Sequence, residues 1–459
     1  MKSTLAQLLA WVPGAAANAD AAFEGVSTDS RSAGAGNLFV ALRGERFDAH
    51  DFLNEVAARG VAAVVAERVP DGFAVPTLLV PDTRVALGEI AAGWRKQFAM
   101  PVIGVTGSNG KTTVKEMVAS ILTAAHGAEH ILATRGNLNN DIGVPLTVFR
   151  LDAHCKAAVI ELGMNHPGEI ALLTRIAQPT VGLVNNAQRE HQEFMATVEA
   201  VARENGAVLE GLAADGVAVF PADDEYTPLW RSLAGERKVV SFGLTAGADV
   251  SASFTANVFG SDLMLRAQGR EVAVRLSAAG VHNVRNALAA AACALAIGIP
   301  LDAVVRGLEA FAPVSGRLQR KSAATGALVI DDTYNANPDS VRAAIDVLAQ
   351  FAAPRVLVLG DMGEVGSEGP RFHEEIGAYC AQRGIEHLLA LGELTQHAVA
   401  ACGASARHYQ DIDALKRDAQ ALAQNSTTVL VKGSRFMRME RVVQHLIDPH
   451  TTAHSQDAH

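Results

Sequence analysis

Cysteine is scarce in this sequence. The 459 residues contain four cysteines, none paired with another at short spacing: Cys155, Cys293, Cys380 and Cys402. Zinc motifs and disulfide frameworks depend on such pairing, so neither is indicated. We expect buried, free thiols.

An excess of positive charge and a long apolar run are also missing. Lysine and arginine number 39 against 49 aspartates and glutamates, a net charge of −10. Nucleic acid or a membrane surface would require a basic face, so neither partner is predicted, although local basic clusters could hold small anions. No run reaches the ~18 apolar residues of a membrane span. The apolar stretch at 5–12, broken by Gln7, is interpreted as an amphipathic helix rather than a signal peptide. A cytoplasmic location is the default expectation.

The composition that is present is typical of a globular α/β protein. Apolar residues make up 49% and charged residues 19%, and the length predicts roughly two to four domains. Strands alternate with helices, which indicates parallel sheets with crossover helices. We place the domain limits at 1–98, 99–312 and 313–459, and expect the tail from about residue 448 to be disordered.

The most informative segment is a candidate phosphate-binding loop. Residues 104–113, GVTGSNGKTT, follow a short apolar run and precede a helical pattern. A glycine-rich turn between strand and helix points backbone N–H groups at one spot, which favours anions. Lys111 would add a positive charge for the outer phosphates and Thr112 a hydroxyl for Mg²⁺. Val105 stands where the common pattern has glycine. The alternative is a strand–turn–helix junction with an incidental Gly-Lys-Thr.

Polar side chains follow two neighbouring predicted strands. Glu161 ends the apolar run at 157–160, and His191 follows the strand predicted at 181–185. The carboxyl ends of parallel strands meet at the ligand-binding edge of a sheet. Glu161 suits an Mg²⁺ ligand there, with a solvent-exposed strand end as the alternative. For His191, a ligand role and a structural role both stay open.

Two asparagine-rich segments are further candidates. The loop at 134–145 is too polar and glycine-punctuated for an element interior, so it indicates a polar or phosphorylated ligand or a capped turn. Asn283 and Asn286 stand at the start of an alanine-rich helix predicted at 284–297. At three-residue spacing they face the same way and could bind a base or sugar, although Asn283 could be only an N-cap.

The predicted third domain repeats the pattern of polar residues after strands. Residues 331–340, DDTYNANPDS, follow one buried strand, and residues 432–435, KGSR, follow another. This is the expected composition of a binding site, with two positive charges for a carboxylate or phosphate. Arg317 adjoins a hinge predicted at 313–316, where domain rotation could bring its guanidinium onto a γ-phosphate.

Taken together, these motifs resemble those of the Mur ligase family of ATP-dependent amide-forming enzymes over essentially the whole chain. The matching segments are TGSNGKTT at 106–113, ELG at 161–163, HNVRNA at 282–287, GR at 316–317 and KGSR at 432–435. The family's own phosphate loop accounts for Val105. Three further segments favour the branch that joins D-alanyl-D-alanine to UDP-N-acetylmuramoyl-tripeptide: TDSR at 28–31, GNLNN at 136–140 and DTYNANP at 332–338.

The resemblance implies a fold, cofactors and a reaction. The fold would be α/β with a small N-terminal UDP-binding domain, a central P-loop-type ATPase domain with a parallel sheet, and a C-terminal Rossmann-like domain. ATP and Mg²⁺ would be the cofactors. ATP would phosphorylate the tripeptide's terminal carboxylate, and the dipeptide amine would attack the acyl phosphate. We expect a monomer.

The resemblance also implies site residues. Those at ATP would be Gly107, Ser108, Asn109, Gly110, Lys111, Thr112, Thr113, Asn283, Asn286, Arg317 and Asp332. Those at the substrates would be Ser30 and Arg31 by the uridine diphosphate, Asn137 and Asn140 in the central domain, Asn335 and Asn337 near the dipeptide, and Lys432 and Ser434. The catalytic set would be Lys111, Glu161, His191 and Arg317, with one Mg²⁺ on Thr112 and Glu161 and a second on His191.

One position departs from the family pattern. The family commonly carries a carbamoylated lysine about fourteen residues after the histidine, bridging to the second Mg²⁺, and this chain has Asn205 there. An amide cannot form a carbamate. Either Glu204 or another acidic group substitutes, or the bridge is absent, and our hypothesis is that activity does not depend on bicarbonate.

Other functions remain open. A folylpolyglutamate synthase-like ligase would share the phosphate loop but should lack the N-terminal unit. A P-loop kinase or nucleotide-switch protein would not require the third domain. No motif indicates whether the tripeptide ends in meso-diaminopimelate or lysine.

Overall fold

The computed structural model describes residues 1–190, 192–257 and 259–448, which form three consecutive α/β units, each built on one main sheet. The predicted fold class is confirmed. The chain passes from the first sheet to the second at residues 96–101, and from the second to the third at residues 311–318. The exact domain limits stay a prediction, and the tail from 449 lies outside the described residues.

The first unit carries a five-stranded sheet. Its helices are α1 (Leu5–Trp11), α2 (Leu53–Ala58) and α3 (Thr83–Arg95). Its strands are β1 (Lys2–Thr4), β2 (Ala16–Ala17), β3 (Ala22–Glu24), β4 (Val26–Ser27), β5 (Leu38–Val40), β6 (Ala63–Ala66) and β7 (Thr77–Leu79). The sheet order is β2-β7-β6-β5-β4, and β1 pairs separately with β3. The predicted N-terminal helix is present, and α1 ends just before Pro13 because proline cannot continue a helix.

The second unit carries a nine-stranded sheet. Its strands are β8 (Val102–Thr106), β9 (Ile131–Ala133), β10 (Ala157–Glu161), β11 (Val181–Val184), β12 (Val217–Pro221), β13 (Lys238–Gly243), β14 (Val250–Asn257), β15 (Gly260–Ala267) and β16 (Arg270–Leu276). Its helices are α4 (Lys111–His126), α5 (Gly143–Val148), α6 (Glu169–Ala177), α7 (Val198–Glu210), α8 (Thr227–Ala234), α9 (Val281–Ala296) and α10 (Leu301–Ala310). In the order β16-β15-β14-β13-β12-β11-β8-β10-β9, β8 lies between β10 and β11. These three strands are parallel, so the loops that follow them converge at one edge.

The third unit carries a six-stranded sheet. Its strands are β17 (Gln319–Ser322), β18 (Leu328–Asp332), β19 (Arg355–Gly360), β20 (His387–Leu391), β21 (Ala406–Tyr409) and β22 (Thr428–Lys432). Its helices are α11 (Pro338–Leu348), α12 (Gly369–Gln382), α13 (Thr395–Cys402), α14 (Ile412–Leu422) and α15 (Glu440–Ile447). The order is β17-β18-β22-β19-β20-β21, and all pairs except β17–β18 are parallel.

Apolar packing joins the first two units to each other more closely than it joins either of them to the third. One core cluster runs from Leu5 and Leu8 of α1 to Val102 and Ile160 of the central sheet. Two clusters of the third unit contain residues of that unit alone. The third unit meets the others through further contacts, among them hydrogen bonds at the phosphate loop.

Two expectations from composition are also tested. All four cysteines are free, and three of them are buried while Cys155 is half-buried. Within the described ranges, every helix is too short or too polar to cross a lipid bilayer.

Candidate active site

The predicted phosphate loop has the geometry that its glycines allow. β8 ends at Thr106, α4 begins at Lys111, and Gly107 and Gly110 have φ values of 130° and 83°. Both lie in the region that favours glycine. A Cβ on Gly110 would also lie 2.4 Å from Asn286 Oδ1. The loop therefore requires glycine at both positions for conformation, and at Gly110 for space as well.

Val105 is part of the strand and not of the turn. It is fully buried, and it pairs with Glu161 on β10 and with Leu183 on β11. A glycine there would weaken the central strand without adding a phosphate contact. The imperfect match to the common pattern thus has a structural reason.

Lys111 lies across the loop that precedes it. Its Nζ donates to Gly107 O at 2.6 Å and Ser108 O at 3.2 Å, and pairs with Glu190 Oε1 at 2.7 Å. The first amides of α4 have no acceptor within the helix, so they and this ammonium form an anion-binding end.

Glu161 offers a buried carboxylate oxygen to a cation. The residue is 2% exposed, and its Oε1 accepts from Thr112 Oγ1 at 3.2 Å and Asn139 Nδ2 at 2.9 Å. Among the described residues, none donates to Oε2. A buried carboxylate oxygen without a partner is costly, and a metal ion would remove that cost. The solvent-exposed alternative for Glu161 is wrong.

The donor set around Glu161 fits Mg²⁺. One carboxylate and one threonine hydroxyl are hard oxygen ligands, and Mg²⁺ usually takes few protein ligands beside phosphates and water. No three His, Cys, Asp or Glu side chains cluster as a metal site in residues 1–190, 192–257 and 259–448. His191, the predicted ligand of a second Mg²⁺, lies outside the described residues.

Arg317 reaches from the hinge into the phosphate loop. Its Nη2 donates to Thr112 Oγ1 at 2.8 Å, and its guanidinium carbon lies 4.2 Å from the centroid of the Tyr334 ring. Gly316 has a φ of 72° and Tyr334 N donates to its carbonyl at 3.1 Å. The turn and the ring together hold a planar cation against the Thr112 hydroxyl of the phosphate loop.

A chain of asparagine amides connects the loop to α9. Asn185 Nδ2 donates to Asn109 O at 2.8 Å and to Asn286 Oδ1 at 2.9 Å, and Asn286 Nδ2 donates to Asn283 Oδ1 at 3.1 Å. The N-cap alternative for Asn283 is wrong, because α9 begins at Val281 with Gly280 as its N-cap. Asn283 lies inside the first turn and donates to Ala279 O at 2.8 Å.

A narrow cleft lies beside Asn283. Its walls are Thr113, Ala278, Ala279, Asn283, Phe311, Pro313, Val314, Arg317 and Leu318. Its walls are mainly apolar with a few polar groups, a composition typical of small-molecule sites. Pro313 and Val314 belong to the predicted hinge, but no motif marks the apolar walls of this cleft as part of a binding site.

Asp332, Lys432 and Ser434 hold the loop that follows β18. Lys432 is 3% exposed, and its Nζ bonds Asp332 Oδ2 at 2.7 Å and Asn335 O at 2.9 Å. Ser434 Oγ donates to Ala336 O at 3.1 Å. Desolvation lowers the pKa of the nearby His282, and Lys432 adds to this while Asp332 opposes it. The structure thus gives Lys432 and Ser434 a supporting contact with the loop.

Asn337 joins the third unit to the phosphate loop. It is the N-cap of α11, accepting from Ser340 N at 2.8 Å, and its Nδ2 donates to Asn109 Oδ1 at 2.9 Å. Asn335 is exposed in the same loop. Asn337 is therefore a helix cap and a link between units in this structure.

Arg189 forms a second link between the central and third units, and this role is not predicted from the sequence. Its guanidinium bonds Asp339 at 2.6 Å and Glu375 at 2.6 Å, both in the third unit. Burial opposes its charge, but Glu375 and Asp339 outweigh burial and raise the pKa of Arg189. The only available indication was its place in the polar segment after β11.

Four predicted substrate residues lie in exposed or partly exposed loops. Arg31 bonds Asp29 at 2.8 Å and thereby lowers the pKa of Asp29 to about 2. Asn140 Oδ1 accepts from Gly143 N at 2.8 Å, a turn-capping contact, and Asn137 is exposed. Within the described part of the chain, no hydrogen bond or ion pair joins Arg31 or its neighbour Ser30 to the phosphate loop.

Asn205 anchors the start of the phosphate loop. It is 1% exposed, and its Oδ1 accepts from Thr106 Oγ1 and, at 2.9 Å, from Gly107 N. Glu204 accepts instead from Gly168 N and Ile170 N, both at 2.9 Å, at the start of α6. Glu204 is thus committed to capping a helix.

Comparisons with known proteins identify the family of the chain. Residues 22–95 match the catalytic domain of the Mur ligase family, 105–294 the Mur ligase middle domain, and 316–435 the Mur ligase, glutamate ligase domain. The UDP-N-acetylmuramoyl-tripeptide–D-alanyl-D-alanine ligase of Escherichia coli is 42% identical, over 96% of this chain and 98% of the relative.

Solved structures agree as well. A crystal structure of MurF from Acinetobacter baumannii superposes with a TM-score of 0.91 at 37% identity, over 98% of this chain and 99% of that one. MurF ligase from Thermotoga maritima, in complex with ADP, gives a TM-score of 0.82 at 27% identity, over 92% and 96% of the two chains. With its three matched domains and its full-length relatives, the chain belongs to the Mur ligase family.

Proposed function

We propose that this protein forms an amide bond between UDP-N-acetylmuramoyl-tripeptide and D-alanyl-D-alanine at the expense of ATP, in peptidoglycan precursor synthesis. Three features meet at Thr112: the phosphate loop, the buried carboxylate of Glu161 and the guanidinium of Arg317. This meeting point is the observation that carries the proposal of phosphoryl transfer. The relatives' name, at 42% identity over 96% of this chain, supports the choice of substrates.

The reaction proceeds in two steps. A terminal carboxylate oxygen of the tripeptide attacks the γ-phosphorus of ATP, the bond to ADP breaks, and an acyl phosphate results. The dipeptide amine then attacks the acyl carbon, loses a proton, and inorganic phosphate leaves. Phosphoryl transfer of this kind needs mainly positioning and charge neutralisation.

The residues of the chain divide these tasks. Lys111 and Arg317 neutralise the transferred phosphoryl group, and Thr112 and Glu161 would hold Mg²⁺. When bound, Mg²⁺ neutralises phosphate charge. At ATP, we place the phosphate-loop residues Gly107 to Thr113 by the phosphates, Asn283 and Asn286 by the adenine, and Asp332 at the ribose. At the substrates, we place Ser30 and Arg31 at the uridine diphosphate, Asn137 and Asn140 at the tripeptide substrate, and Asn335 and Asn337 at the dipeptide. Lys432 and Ser434 would support the loop that carries Asn335 and Asn337, and His191 would bind a second Mg²⁺. We also propose a monomer that acts in the cytoplasm, where ATP is available.

Phosphate release tests the proposed function. With ATP, Mg²⁺ and the tripeptide precursor, we expect D-alanyl-D-alanine to accelerate phosphate release and to produce the pentapeptide product, because the dipeptide consumes the acyl phosphate. L-alanyl-L-alanine is the matched control and should have little effect. Phosphate release that does not respond to the dipeptide would indicate a nucleotide-switch protein. Formation of a ligated product from glutamate and a folate would indicate a folylpolyglutamate synthase-like ligase.

Bicarbonate tests the role of Asn205. Its oxygen is already bonded to the start of the phosphate loop, and an amide carries no carbamate, so turnover should be unchanged after exhaustive removal of CO₂. The measurement compares rates in degassed buffer with and without added bicarbonate. A collapse of the rate that bicarbonate restores would contradict the hypothesis.

A further inference from the structure

Lys115 is a buried charge for which the proposed reaction has no use so far. It lies on α4, three residues after Thr112 and four after Lys111, and its side chain is 0% exposed. Residues at these spacings share one face of a helix. An ammonium removed from water costs free energy unless its partners repay it, so those partners indicate what the lysine does.

One partner is the carbonyl of Thr134, at 3.0 Å from Nζ. The other is the carboxylate of Glu116, whose side chain is 38% exposed. Thr134 comes directly after β9, and its Oγ1 accepts from Glu161 N at 3.0 Å. Lys115 is therefore one hydrogen-bonded residue away from the backbone of the proposed Mg²⁺ ligand.

The same loop touches Glu161 again at its other end. Asn139 Nδ2 donates to Glu161 Oε1 at 2.9 Å, and Gly163 N donates to Asn139 O at 2.8 Å. A Cβ on Gly163 would lie 2.7 Å from Asn139 Nδ2, so the approach is close. The loop from 134 to 139 therefore holds both the backbone and one carboxylate oxygen of Glu161, leaving Oε2 without a donor in the described chain.

We propose that Lys115 is a positioning residue for the metal ligand Glu161, acting through Thr134 and the loop to Asn139. By fixing the start of this loop to α4, it keeps Thr112 and the Glu161 carboxylate in one register, with Oε2 directed to the cation. This inference rests on the proposed Mg²⁺-ATP chemistry. It assigns a function to a lysine that no substrate can reach.

The test measures ATP binding by calorimetry, with Mg²⁺ and with EDTA, for the wild type and Lys115→Met. Methionine has a similar volume, and the Glu116 carboxylate that it leaves unpaired is 38% exposed, so water can still solvate it. Removing a residue that orients a metal ligand typically costs 10- to 100-fold. We expect the gain in affinity that Mg²⁺ confers to fall by about tenfold or more, while affinity in EDTA changes by less than about twofold.

Three variants complete the experiment. Glu161→Gln should lose the gain in ATP affinity that Mg²⁺ confers. Lys115→Arg should keep most of this gain, because a donor to Thr134 remains. Glu116→Gln should match the wild type, because the contact between Lys115 and Thr134 is unchanged. An unaltered Mg²⁺ effect in Lys115→Met, or an equal loss with and without Mg²⁺, would overturn the proposal. If Lys115→Met does not fold, Asn139→Ala decides: a selective loss supports the proposal and none refutes it. Because no dipeptide is used, failure here is distinct from absence of dipeptide-dependent turnover in the wild type.

Discussion

Lys111→Ala is expected to lower the rate of dipeptide-dependent phosphate release by about 10³-fold or more, because a preorganised cation at the transferred phosphoryl group is lost. The ammonium already lies on the loop, within 2.6 Å of Gly107 O. Alanine at the first position of α4 is a good helix former, so the fold should survive. The measurement is kcat for phosphate release, together with the thermal unfolding midpoint of the variant.

Lys238→Ala is the matched control, since Lys238 is an exposed lysine on β13. It should retain wild-type activity and stability. If Lys111→Ala kept more than about a tenth of wild-type activity, the phosphate loop would have to be removed from the mechanism.

Arg317→Ala is the second large effect, and we expect a loss of about 10³-fold in kcat. The guanidinium bonds Thr112 Oγ1 at 2.8 Å and stacks on Tyr334, so it brings a cation from the third unit to the phosphates. ATP affinity should fall much less than kcat, because the remaining phosphate contacts belong to the central unit. Steady-state kinetics and ATP binding on the same protein separate the two quantities.

Arg320→Ala is the control for this variant. Arg320 also stacks on an aromatic ring, with its guanidinium carbon 3.2 Å from the centroid of Phe259, yet it has no contact with the phosphate loop among the described hydrogen bonds. It should stay near wild-type kcat. Arg317→Lys should be intermediate, because lysine keeps the charge but not the planar fork. Equal losses in Arg317→Ala and Arg320→Ala would show that stacking between units, and not the γ-phosphate, is the role of Arg317.

Much of the site could be predicted because it follows from local rules. Gly107 and Gly110 mark the turn by their backbone freedom, and Glu161 and Lys432 could be found because parallel strands present their carboxyl ends at one edge. The helix at 281–296 was predicted from its alanine content, but its start was placed three residues late. Asn283 looked like a cap because the true N-cap, Gly280, carries no side chain that a pattern would mark.

The partners of the polar side chains could not be predicted in the same way. Asn139, Asn185 and Arg189 bond residues 22, 101 and 150 positions away, respectively. Asn337 and Ser434 were predicted at the substrates, and the structure also gives them contacts that shape the surrounding loop. Such pairings require elements that are distant in the chain to be positioned relative to one another to within a fraction of an ångström.

By itself, the sequence determined the α/β class and the conformation of the phosphate loop. The class follows from the apolar pattern of successive strands and helices, and the loop conformation follows from its glycines. Both signals act over a few neighbouring positions. Only the tertiary structure decided that Val105 is strand, that Asn205 holds the loop, that Arg317 meets Thr112, and that Lys115 is enclosed beside Thr134. The reason is physical: hydrogen bonds form over about 3 Å, and the distances between sheets, helices and hinge are set by how the whole core packs.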